Sequence, residues 1–115
     1  MSRRLPLDTS TTISLDSSGN GTAKLGPQLP REKWFPNVAS IFIGVSSFPV
    51  CRVYVGPAPT QAYIVDTSYL GAGDSTGRVS GYPVTNGIYV WAVWANGPAN
   101  QQATLSIKGY KEVPG

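Results

Sequence analysis

The sequence predicts an all-β protein: a single β-sandwich of about eight short antiparallel strands, of Greek-key or jelly-roll type, with an extended N-terminal arm. Three observations carry this. Short apolar runs alternate with turn residues along the whole chain. The 115 residues include 13 Gly and 10 Pro without any collagen-like period, as expected where many short strands are joined by turns. No stretch shows the apolar period of an amphipathic helix. The length suits one domain, read as an arm over 1–8, a sandwich over 9–110 and a tail over 111–115.

The organising stretch is Gly87–Ala95, Gly-Ile-Tyr-Val-Trp-Ala-Val-Trp-Ala, which runs from Asn86-Gly87 to Asn96-Gly97-Pro98. It is apolar at both parities, which predicts a central strand covered on both sides. Its β-branched and aromatic content argues against a helix.

The remaining elements follow in order. Met1–Asp8 holds Arg3, Arg4 and Pro6 and reads as an arm. Thr9–Leu15 alternates, with Thr11, Ile13 and Leu15 on one face. Asp16–Gly21 supplies turn residues, and Thr22–Leu25 is expected to return as the second strand of a hairpin. Gly26–Pro36 contains Pro27, Pro30 and Pro36 and reads as a crossing loop ending in Trp34 and Phe35. Val38–Val45 is expected as a strand with Ile41, Ile43 and Val45 in phase. Ser46–Pro49 turns the chain into Val50–Val55, where Cys51, Val53 and Val55 face inward and Arg52 and Tyr54 outward. Gln61–Val65 reads as a strand near an edge. Asp66–Ser80, with Gly71, Gly73 and Gly77, reads as a surface loop leading to a short strand near Arg78–Val84. Ala103, Leu105 and Ile107 mark the last strand.

Composition narrows the chemistry. There is no histidine and one cysteine, which removes Ser-His-Asp and Cys-His catalysis and histidine or thiolate zinc sites. Neither a phosphate-binding nor a dinucleotide glycine pattern is present. No catalytic residue, cofactor or metal is expected, and the chain reads as a non-enzyme. Asp66 and Asp74 bracket one region and suit either a calcium or glycosidase-type pair or side-chain caps of turns; the second reading is preferred. Trp34, Trp91, Trp94, Tyr82 and Tyr89 suit either a sugar-stacking platform or the core. Trp91 and Trp94 have opposite parity, so one face takes at most one of them. Asn20-Gly21-Thr22 matches a glycosylation sequon, which has no meaning without secretion. Cys51, in phase with Val53 and Val55, is expected to be a buried thiol.

The net charge of +3 comes from nine basic and six acidic residues spread thinly along the chain, so no nucleic-acid partner is expected. No apolar run approaches membrane-spanning length. Met1–Asp8 lacks the apolar segment of a secretion signal, so synthesis in a cytoplasm is expected. Only 13% of residues are charged, which suits a protein that works inside an assembly.

The turn and core residues Gly19-Asn20-Gly21-Thr22-Ala23, Gly26-Pro27, Trp34 and Cys51–Gly56, with Asp74-Ser75-Thr76, Gly87, Trp91–Trp94 and Gly97, resemble a family of small β-sandwich virion proteins of tailed bacteriophages of actinobacteria. The resemblance implies a structural role in the particle and carries over no functional residue. It makes the expected partners the major capsid protein or other virion proteins, with homo-oligomers in the particle. The expected function is a capsid decoration protein on the capsid surface; the alternative is a minor tail or receptor-binding module that contacts host glycan. Arg3, Arg4, Leu5 and Leu7 of the arm are the expected partner-binding residues, the arginines bridging acidic capsid groups.

Overall fold

The computed structural model describes residues 2–27, 29–44, 49–69 and 73–114. Eight strands form two four-stranded sheets: β1 (Ser2–Ser14), β2 (Gly21–Leu25), β3 (Lys33–Ile43), β4 (Val50–Gly56), β5 (Ile64–Ser68), β6 (Gly73–Thr76), β7 (Tyr89–Ala95) and β8 (Gln102–Pro114). A 3₁₀ turn over Gln61–Tyr63 precedes β5. One sheet has the order β1-β8-β3-β6 and the other β2-β7-β4-β5, all pairs antiparallel.

This order has a simple origin. β1 pairs with β8, β2 with β7, β3 with β6 and β4 with β5, as if the chain were folded at its midpoint into one long hairpin and then rolled up. Successive strands alternate between sheets except at the β4–β5 hairpin. That is the winding of a jelly roll.

The core lies between the sheets. Ile41, Ile43, Leu105 and Ile107 of the first sheet face Val53, Val90, Ala92 and Trp94 of the second, all buried. β7 is central, as Gly87–Ala95 predicts. Its second apolar face, however, has no covering layer among the described residues. Tyr89, Trp91, Val93 and Ala95 remain half-buried on the outside. There Trp91 donates its indole N–H to the Gly56 carbonyl at 2.9 Å, and Lys24 Nζ lies 4.6 Å from the Tyr89 ring centroid. Cys51 is fully buried.

Several expectations change. Residues 2–8 are not an arm: they are the first half of β1, paired with Lys108–Pro114 of β8. Residues 111–114, expected as a tail, are the end of β8, while Met1 and Gly115 lie outside the described residues. The alternation of Leu5 and Leu7 with Thr9, Thr11 and Ile13 carried this signal, and the prolines obscured it. Pro6 is tolerated because β1 is an edge strand. Pro36 is tolerated because β3 shifts register between Pro36 and Val38.

Thr9–Leu15 and Thr22–Leu25 do not pair with each other. Asp16–Asn20 is a corner that carries the chain from one sheet to the other, and its Asp16 Oδ1 accepts the N–H groups of Ser18 and Asn20. β3 starts at Lys33, so Trp34–Pro36 are strand rather than loop. Asp66–Ser80 contains the end of β5 and all of β6, whose Gly-Asp-Ser-Thr sequence has no apolar residue to betray a strand. The segment Arg78–Val84 is turns and not a strand, apart from one bridge between Val84 and Trp34. Val45, the turn Ser46–Phe48, and Gly71 lie outside the described residues.

Candidate partner-binding face

Cross-strand partners in a sheet point to the same side, so the registers define the outer face of the β1-β8-β3-β6 sheet. Arg4, Glu112 and Lys33 form one row, and Pro6, Tyr110 and Phe35 the next. Further along, Ser10, Ser106, Ser40 and Ser75 stand side by side across all four strands. Phe42 follows, 58% exposed.

The rows at the Arg4 end make a stack. The Phe35 and Tyr110 rings lie 4.8 Å apart at 14°. The Arg4 guanidinium carbon sits 4.3 Å from the Tyr110 centroid. Attraction of the cation to the ring quadrupole holds this arrangement. Beside it runs a groove of about 190 Å³ lined by Phe35, Pro36, Asn37 and Tyr110 on one side and by Ser80–Pro83 on the other.

The far wall is built by local turn chemistry. The N–H of Ser80 bonds the Gly77 carbonyl and that of Tyr82 bonds the Val79 carbonyl. Gly81 takes a φ of +91°, which an L side chain resists. Val79 and Val84 are fully buried, and Val84 exchanges two 2.8 Å backbone bonds with Trp34. Tyr82 thus rides on a loop pinned at both ends, with its ring 47% exposed. Beneath the stack, Glu32 is 7% exposed; it accepts the Trp34 indole N–H at 2.8 Å and lies 3.3 Å from Lys111 Nζ.

The four residues expected to bind a partner part company here. Arg4 is on the groove face. Arg3 is exposed but has the opposite parity. Leu5 is half-buried on the inner side, and Leu7 is only 4% exposed within the core. Leu7 therefore cannot meet a partner; pairing with β8 turns it inward. Phe35, Tyr82 and Tyr110 were missed as a group, because only the β3–β8 register sets Phe35 beside Tyr110 and only the folded 79–83 loop carries Tyr82 across the groove from them.

The other sequence candidates separate. Trp34 and Trp94 are core residues, Tyr89 and Trp91 lie on the outer face of the other sheet, and Tyr82 stands alone on its loop, so the five aromatics make no common platform. Asp66 and Asp74 do line one cavity, between β5 and β6. They sit in strands, and each accepts the N–H of the residue after it, from Thr67 and Ser75, at 2.8 Å. Asp74 also accepts the Ser68 hydroxyl at 2.5 Å, bridging the two sheets. The cavity holds about 10 Å³, enough for one water. Among the described residues no group of three or more His, Cys, Asp or Glu could hold a metal ion.

Beyond the serine row from the Arg4 stack, a second groove of about 320 Å³ is lined by Phe42, Gly44, Asn100, Gln101, Gln102 and Thr104. It carries no formal charge. No protein-family model, curated protein or solved structure matches this chain.

Proposed function

We propose that this chain is a non-enzymatic structural protein of a bacteriophage virion, a capsid decoration protein that docks on the outer surface of the major capsid protein. The observation that carries the reading is the Arg4–Tyr110–Phe35 stack with Tyr82 across its groove. Tyrosine supplies contact area at low entropic cost, the ring holds Arg4 in place, and both residue types are enriched among those that carry interface energy. The low charge of the chain and a jelly-roll winding of the kind used in capsids support the same reading, the latter by analogy of fold alone. In this reading Arg4, on the groove face, takes a partner-binding role. A free arm that orders on binding has no place in the mechanism, since these residues are already paired.

Copy number in purified particles tests the proposal. Hundreds of copies in fixed ratio to the major capsid protein support decoration, and absence from the particle overturns it.

A second reading, a minor tail or receptor-binding module contacting host glycan, draws on a different observation. Tyr69, within residues 66–80, is 71% exposed, and Tyr82, just after them, is 47% exposed. The Phe42 groove combines an exposed ring with uncharged amides and a hydroxyl, groups that suit the C–H faces and hydroxyls of a sugar. A handful of copies per particle together with binding on a glycan array favours this reading over decoration.

A further inference from the structure

We propose that the free edge of β1 pairs antiparallel with the same edge of a second copy of this chain over Asp8–Ser14, about a two-fold axis at Thr11. The pairing joins two four-stranded sheets into one of eight strands. It names a surface for self-association without resting on where the protein acts.

The prolines determine which backbone groups are free. Along an antiparallel pair, residues alternate between those bonded across the pair and those whose N–H and C=O point away from it. Pro6 stands opposite Tyr110 and Pro114 opposite Ser2. Neither proline can donate, so the even-numbered residues of β1 are the ones that point away from β8. Pro36, opposite Gly109, obeys the same parity on the other side of β8. Asp8, Ser10, Thr12 and Ser14 therefore turn their amides and carbonyls towards the open edge, and all four are exposed. Among the described residues no loop backbone bonds to this edge.

Proteins blunt such edges by making them short, bulged or charged. Three of the four edges here are treated that way. β6 has four residues, β2 has five with Lys24 among them, and the β4–β5 ladder shifts register between Val53 and Tyr54. β1 carries Arg3, Arg4, Pro6 and Asp8 in its first half, but from Thr9 to Ser14 it has no charge, proline or bulge and stays in register with β8.

The occupant follows from charge and register. A two-fold axis at Thr11 sets Ser10 opposite Thr12 of the second copy and Asp8 opposite Ser14, so no like charges oppose. Axes nearer the N-terminus place Pro6 at a position that needs a donor, and those nearer the C-terminus shorten the ladder. Hydroxyl-bearing residues directly opposite each other are a favourable cross-strand pairing.

Light scattering on the eluting full-length protein tests this. A mass twice the 12.2 kDa of the chain is expected, with hydrogen-exchange protection at Ser10, Thr12 and Ser14 that is lost on dilution. Ser10→Pro removes an edge donor in each copy while sparing the β8 ladder, and should weaken the dimer on the order of tenfold or more. Thr12→Lys leaves every backbone donor in place and should weaken it as well, which covers the case in which Ser10→Pro fails to fold. A single-chain mass at high concentration, or a dimer unchanged in a folded variant of either kind, overturns the proposal.

Discussion

The Arg4 guanidinium lies 4.3 Å from the centroid of the Tyr110 ring, which in turn stacks on Phe35 at 4.8 Å. These residues come from β1, β8 and β3, and the β1–β8 and β3–β8 registers set Arg4 in the row next to the Tyr110–Phe35 pair. Arg4→Ala is expected to lower thermal stability little, since an exposed cation–π contact contributes about 0.5–1 kcal/mol. Its effect on the proposed capsid attachment should be larger, and Tyr82→Ala should add to it. Melting curves and a binding assay on undecorated particles separate the two effects. Equal attachment by both variants and wild type would remove this face from the proposed interface.

Removal of residues 2–8 is expected to unfold or strongly destabilise the domain. The deletion strips seven paired positions from β8 and removes Leu7, which is 4% exposed. A free arm would leave the melting temperature untouched. Circular dichroism melts of the shortened and full chains decide between these outcomes.

Gly19 and Gly97 hold two corners of the sandwich together. The Gly97 N–H donates to the Gly19 carbonyl at 2.9 Å, and a Cβ on Gly19 would meet the Gly97 oxygen at 1.9 Å, at a φ of +77°. Gly19→Ala is expected to cost at least about 1–3 kcal/mol from backbone strain alone, with the steric overlap adding to it. Chemical denaturation should show a lower midpoint.

Burial pushes the Cys51 thiol up from 9.0 to about 12. The folded state therefore keeps its proton where the unfolded chain would release it. This contribution to stability is full below pH 9 and is lost as pH rises from 9 towards 12. Labelling by a thiol reagent at neutral pH should wait for unfolding, since the thiolate is the reactive species. Fast labelling in native buffer would contradict the burial.

Trp94 is fully buried in β7. Trp94→Ala should cost about 3–5 kcal/mol, read as a lower denaturation midpoint, whereas the half-buried Trp91 should cost less.

Much of the fold was legible because alternation and turn residues act locally. Ile41, Ile43, Cys51, Val53, Leu105 and Ile107 announce their inward faces in sequence, and Gly87–Ala95 announces a central strand. Where an element lacked apolar residues, as in Gly73–Thr76, or carried a proline, as in Ser2–Ser14 and Lys33–Ile43, the local pattern failed. There the ladder partner supplied the missing stabilisation.

By itself, then, the sequence determined the all-β class, the inward faces of most strands, the buried thiol, and the absence of any histidine for catalysis or metal binding. These follow from residue type and period two, which need no knowledge of distant neighbours. The tertiary structure decided which strands pair, that the N-terminal segment is an edge strand, and that Arg4, Phe35, Tyr82 and Tyr110 gather around one groove. Pairing over a separation as long as that of Arg4 and Glu112 depends on how the whole chain rolls up, and no local pattern encodes it.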